Sequence, residues 1–315
     1  MRRRAFGRTG VEVSERSFGA WAIGGQSYGA VDAKQALDTL AEAEALGCNF
    51  VDTAAVYGDA EALLGRFLPG RRDRWLVGSK YSGQGEGMTA LVEAQLRRLA
   101  TDRIDFYQIH WAPDDTEEAL YAELERLKRD GKVRFCGVSL KTAADIDRVL
   151  AHSHIDGIQL PVSLIDPEPL ASRRQLIRER GVAVIARSAL RGGFLAGHYG
   201  ENATFSGRSD QRSEWPPERI RSLARQARAF SPIAEAAGSP LAAALAYPLS
   251  FPEVSTLVMS CKSPQQARAN FDPRLPATLD DALLARVAQT QRELGLFAGT
   301  GLLARVKRKL RRVFA

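Results

Sequence analysis

Four residues able to move or steer a proton stand between residues 52 and 110: Asp52, Tyr57, Lys80 and His110. Asp52 precedes Tyr57 by five residues, where the apolar run of residues 49–53 opens into a turn reaching Gly58. Lys80 follows Asp52 by 28 residues and His110 follows Lys80 by 30, each near the end of an apolar run. Such a set suits proton donation to a carbonyl oxygen. A free phenol, with a pKa of about 10, is too weak an acid at neutral pH, and a neighbouring ammonium lowers that value by roughly 1–3 units. Lys80 would supply the positive charge, and Asp52 would hold Lys80 charged and aimed at Tyr57. A neutral His110 would orient the carbonyl and stabilise the developing oxyanion. Singly, Asp52 with Thr53 reads equally well as a turn or cap, Tyr57 as a loop aromatic and His110 as a hydrogen-bonded core histidine. Lys80 is harder to explain away, because a lysine ending an apolar strand needs a partner.

For these residues to meet, their runs must be strands of one sheet. Apolar runs at residues 18–24, 49–53, 75–80, 104–111, 132–139, 157–163, 182–188 and 255–260 alternate with helical patterns, among them 33–46, 60–67, 88–99 and 116–129. Near-continuous apolar runs are expected of parallel strands buried on both faces, and eight of them with intervening helices predict an α/β fold, a closed (β/α)8 TIM barrel. The loops after its strands share one face, where the four residues would converge. An open Rossmann sheet is disfavoured, since no GxGxxG follows an early strand. Residues 3–6 and 11–13 flank a GRTG turn and predict an N-terminal β-hairpin. Segment 191–217, rich in Gly, Ser, Arg and Asp, predicts a loop over the site, with a simple Gly-rich hinge as the plainer reading of 191–197.

At 315 residues and 45% hydrophobic, the chain can bury a large core. No run is long enough to cross a membrane, and the basic start leads to no apolar signal core, so a cytoplasmic protein is expected. Cys48, Cys136 and Cys261 lie far apart in apolar segments and read as reduced core residues. No CxxC or HxxH pair offers metal geometry. Six Lys or Arg and no acid between residues 305 and 312 carry most of the net charge of +7, so the body is nearly neutral.

The stretches FVDTAAVYGDAEALLG (50–65), GSK (78–80), DFYQIHWAPD (105–114), GKVRFCGVS (131–139), GIQ (157–159), VIARSALRGGFLAGHY (184–199) and KSPQQARAN (262–270) follow one another as in a known family. From the hairpin to about residue 270 the chain resembles the aldo-keto reductases. The resemblance implies that Asp52, Tyr57, Lys80 and His110 form a catalytic tetrad and that a nicotinamide cofactor supplies hydride. It further implies that Ser139 and Gln159 hold the carboxamide, and that Arg187 packs on the nicotinamide where many members carry an aromatic residue. Residues 188–193, including Ser188, Leu190 and Gly192, would cradle the pyrophosphate. Lys262, with Ser263 beside it, and Arg268 fall where the family meets the adenosine 2′-phosphate, and Gln266 and Asn270 fall at adenine contacts. Two cations there favour NADPH over NADH, because a dianionic phosphate needs countercharge. Leu140, Ala269 and the pair Ser260 and Cys261 depart from the family pattern and bear on cofactor affinity. Trp21, Tyr28, Tyr81 and Trp111 are expected to line an aromatic substrate cleft, with Arg208 and Arg212 above it available to an acidic substrate or to the cofactor.

Leu303, Val306, Leu310 and Val313 recur at helical spacing among the basic residues of the tail, predicting a C-terminal basic amphipathic helix. It either meets an anionic membrane or acidic partner or docks on the barrel by its apolar stripe. No nucleic-acid-binding surface accompanies it. The organisation expected is one barrel domain over residues 1–294 and a basic extension over 295–315. The expected activity is NADPH-dependent reduction of an aldehyde or ketone to an alcohol, with Tyr57 as general acid. A cofactor-sensing regulatory subunit with little turnover and an alcohol-oxidising or epimerising biosynthetic enzyme are the alternatives on the same fold.

Overall fold

The computed structural model describes residues 1–25, 27–83, 87–207 and 209–297; the expected C-terminal helix and Arg208 lie outside them. The strands are β1 (Arg3–Ala5), β2 (Glu12–Ser14), β3 (Arg16–Gly19), β4 (Phe50–Asp52), β5 (Leu76–Tyr81), β6 (Ile104–Ile109), β7 (Val133–Ser139), β8 (Gly157–Pro161), β9 (Ala183–Arg187) and β10 (Val254–Ser260). β3 to β10 close a parallel barrel, with β10 pairing back to β3, while β1 and β2 form the antiparallel hairpin. Helices cover the outside, several begun by side-chain caps: Asp32 accepts from the Gln35 amide at the start of Ala33–Ala45, and Thr142 forms a capping box with Asp145.

The first barrel strand is shorter than the apolar run 18–24 predicts. It ends at Gly19, and Ala20–Ile23 is a 3-10 helix whose Ala20, Ala22 and Ile23 are buried. That turn packs so closely on the second loop that a Cβ at Gly24 would fall 1.8 Å from the Tyr57 carbonyl oxygen. Apolar continuity there records burial of a turn, which a strand-like run cannot distinguish from a strand.

Side-chain alternation along the strands sorts the barrel interior into layers. At the bottom, Phe6 from the hairpin meets Phe50, Phe106 and Phe135, with centroids 5.8, 5.2 and 6.2 Å away. Val13, Leu76, Ala183 and Ile185 complete this plug. The Phe106 ring takes the room a side chain on β7 would need, since a Cβ at Gly137 would lie 2.2 Å from it. Two residues beyond Phe50, Phe106 and Ile185 come Asp52, Gln108 and Arg187, four beyond Leu76 and Phe135 come Lys80 and Ser139, and Gln159 joins them from β8. The apolar plug is therefore capped by a polar layer at the C-terminal mouth. Among the described residues, no helix is long and apolar enough to cross a membrane, and no group of three or more His, Cys, Asp or Glu side chains could hold a metal ion.

Candidate active site

Asp52 ends β4, Lys80 is the penultimate residue of β5 and His110 directly follows β6, so the barrel brings three separate sequence segments to one rim. Lys80 is fully buried and donates to Asp52 Oδ2 at 2.7 Å and to the Thr53 carbonyl at 2.8 Å. Burial opposes its charge, but Asp52 and Tyr57 outweigh that and hold the ammonium pKa above its ordinary value. The ammonium stands 5.1 Å from the centroid of the Tyr57 ring. Lys80 thus stands between Asp52 and Tyr57.

Burial pushes the Tyr57 hydroxyl pKa up, Lys80 pulls it down, and the Asp52 charge pushes it up again. The net direction is upward, opposite to the lowering predicted from the lysine alone. Burial of a phenol under Trp21, 6.0 Å away, and beside His110, 6.1 Å away, is what the spacing of residues could not reveal. His110 is held neutral: burial, then the Lys80 charge, lower its pKa to about 4. A neutral imidazole can donate a hydrogen bond to a carbonyl without competing with Tyr57 for the proton.

The other expected site residues are distributed around this centre. Ser139 and Gln159 pair in register on β7 and β8, and Gln159 Nε2 donates to Asp52 Oδ1 at 3.0 Å. Arg187 at the end of β9 donates to the Leu140 carbonyl at 3.0 Å, and burial lowers its pKa. In the following loop Ser188, Arg191, Gly192 and Gly193 all have positive φ. Gly192 and Gly193 approach Trp215 and Tyr199 so closely that a Cβ on either would fall 2.7 Å from an aromatic carbon. Ser263 caps the helix Pro264–Asn270, Gln266 Oε1 accepts from the Lys262 amide at 2.7 Å, and Asn270 donates to Cys261 Sγ. The Lys262 ammonium donates to the Tyr28 carbonyl, and Arg268 pairs with Glu42 on the first helix at 3.2 Å.

Trp21 and Tyr28 meet edge to face at 5.3 Å beside Tyr57. Tyr81 belongs to the layer between strands and helices, where it meets Trp111 at 5.7 Å, and its carbonyl accepts from the His110 amide. Arg212, expected to face ligand, is engaged by the protein: two of its nitrogens bind Asp210 at 3.0 and 2.7 Å, and a third donates to the Gly192 carbonyl and the Tyr199 hydroxyl. Its guanidinium also lies 4.2 Å from the Phe205 ring centroid. Together with backbone bonds from Gly29 to Ser209 and from Gln211 to Ser27, this clamp ties the loop after β9 to the loop after β3. Sequence reasoning missed Gln108, Asp210 and Glu42. Gln108 alone had a signal, lying two residues before His110 on the inward side of its strand.

Comparison with known proteins decides the family. The Aldo/keto reductase family matches residues 17–291. The chain belongs to it. An aldo-keto reductase from Bacillus subtilis, YhdN, is 31% identical over 66% of this chain and 67% of its own length. The NADH-specific methylglyoxal reductase of Escherichia coli is 31% identical over 62% of this chain and 70% of its length. Among solved structures, the holo form of the aldo-keto reductase AKR11C1 from Bacillus halodurans superposes with a TM-score of 0.78 at 25% identity, covering 92% of this chain and 96% of that one. The glycerol dehydrogenase AKR11B4 from Gluconobacter oxydans gives 0.76 at 27% identity, covering 92% and 95%. This aldo-keto reductase is thus an oxidoreductase of a family that uses nicotinamide cofactors on small carbonyl compounds.

Proposed function

We propose that the protein reduces an aldehyde or ketone to an alcohol, with Tyr57 as the proton donor. The observation that carries this reading is the buried Lys80 ammonium, held by Asp52 at 2.7 Å directly beside the Tyr57 ring. A nicotinamide cofactor, when bound, supplies the hydride. The chain itself fits such a group: a glycine-containing left-handed loop follows β9, and Arg187, Arg191, Lys262 and Arg268 supply cations on the segments that follow β9 and β10, Arg191 paired with Asp166 at 3.2 Å. Ser139 and Gln159 would hold its carboxamide, residues 188–193 its pyrophosphate, and residues 262–270 its adenosine end.

His110, neutral, donates its ring N–H to the substrate carbonyl oxygen and sets the angle of approach. Tyr57 delivers its proton to that oxygen, and the resulting phenolate is stabilised by Lys80, whose charge Asp52 maintains. Raised proton affinity keeps Tyr57 protonated at neutral pH, and the ammonium beside it offsets part of the cost that burial sets on losing that proton. Trp21, Tyr28 and Trp111 favour a modest, partly apolar carbonyl compound.

NADPH is the preferred form on the strength of Lys262 and Arg268. The NADH reading is favoured by one observation, the engagement of Arg268 by Glu42, which offsets the charge a 2′-phosphate would seek. The test is turnover of NADPH and NADH with a carbonyl panel, comparing wild type with Tyr57→Phe. Retention of cofactor binding with a loss of kcat by about a hundredfold or more supports the assignment; undiminished reduction by the variant refutes it.

A further inference from the structure

One side chain of the polar layer has no place in the roles assigned so far. Gln108 is fully buried, and its backbone stands in register with Lys80 on one side and Gly137 on the other. Its Nε2 donates to Asp52 Oδ1 at 3.1 Å, the oxygen that also accepts from Gln159 at 3.0 Å. The second oxygen, Oδ2, accepts from Lys80 at 2.7 Å. The carboxylate is therefore divided, one oxygen facing two amides and the other facing the cation. Among the described residues the amide oxygen of Gln108 has no hydrogen-bond partner. An unpaired buried carbonyl is costly, and turning the amide over would set that oxygen against an acceptor. The amide is thereby fixed with its N–H on the Asp52 carboxylate oxygen.

Building on the proton-donor reading above, we propose that Gln108 is a positioning residue of the acid machinery, locking Asp52 so that Oδ2 stays directed at Lys80 and the ammonium stays beside Tyr57. Gln159 is the second donor of the lock. Gln108 acts through Asp52 and Lys80. The charged and titratable groups around this centre include Asp52, Lys80, Tyr57, His110 and Arg187, with Tyr28 beside Tyr57 and Lys141 acting on His110. Gly137, the β7 neighbour, has no side chain to confine the amide, so Asp52 itself is what holds it.

Gln108→Met and Gln108→Glu, made in the full chain and paired with Tyr57→Phe versions, test the role. Methionine keeps the volume and removes the donor. The expected result is a fall in kcat of about tenfold to a hundredfold with KM nearly unchanged, as for loss of a hydrogen bond to a charged group. The phenolate titration of Tyr57, read as an ultraviolet difference against Tyr57→Phe, moves to higher pH as the ammonium loses its fixed place. Glutamate is isosteric and sets a second carboxylate against Asp52, adding an acidic limb to the kcat profile because the two must share a proton. Wild-type kcat and an unmoved titration in both variants would overturn the proposal, and the glutamate variant carries the test if the methionine variant does not fold. A moved titration in a wild-type background that reduces no carbonyl would support the positioning role and sink the reaction assigned above.

Discussion

Lys80 and Asp52, 28 residues apart in the chain, form a 2.7 Å ion pair inside the barrel mouth, with Lys80 fully buried and Asp52 4% exposed. Removing one partner of such a pair strands the other charge. Lys80→Met should destabilise the fold by about 3–5 kcal/mol, measured by denaturant unfolding. Lys80→Met combined with Asp52→Leu should recover much of that stability while carbonyl reduction stays lost. A single variant of full stability would mean that the charge is not held as the geometry requires.

His110 couples stability to acidity. Its folded pKa, about 4, lies below the unfolded value near 6.5, so the unfolded chain binds the proton first. Stability is complete above the unfolded pKa and falls as pH drops from about 6.5 through about 4, by up to roughly 3 kcal/mol from this residue. His110→Gln should flatten that part of the melting-temperature profile. Parallel profiles for variant and wild type would refute the assignment.

Gly193 has φ +97°, and a Cβ there would sit 2.7 Å from Tyr199. Gly193→Ala meets backbone strain of about 1–2 kcal/mol and displaces Tyr199, whose hydroxyl accepts from Arg212 at 3.1 Å. A lower melting temperature and weaker quenching of protein fluorescence by NADPH and NADH alike are expected. Unchanged binding would show that the loop does not cradle the cofactor.

Glu42 holds Arg268 at 3.2 Å on an exposed ridge. Glu42→Gln frees the guanidinium and should improve NADPH affinity relative to NADH by about two- to fivefold, as for an exposed ion pair. Fluorescence titration with NADPH, NADH and 2′,5′-ADP reads the ratio. A constant ratio would separate Arg268 from the 2′-phosphate.

Much of the architecture was legible because burial on both faces writes parallel strands as apolar runs. Seven of the eight barrel strands fall within their predicted runs or reach one residue past them, and Lys80 stood out because an apolar strand rarely ends in an unpaired cation. The run 18–24 misled, since a buried turn and a buried strand carry the same residue types. Arg212 misled for a related reason: a loop arginine declares its charge, while the Asp210, Tyr199 and Phe205 that absorb it are named only once the loop folds.

By itself the sequence determined which side chains lie at strand ends and, through the two-residue period of a strand, which of them point inward: Asp52, Lys80, Gln108, Ser139, Gln159 and Arg187 share that parity with the apolar plug below. Tertiary structure decided what those groups do to one another. Whether Tyr57 is made more or less acidic depends on burial by Trp21 and His110 set against one ammonium, and whether Arg268 is free depends on a glutamate 226 residues away. Desolvation and pairing are sums over neighbours in space, so they have no value until the barrel has closed.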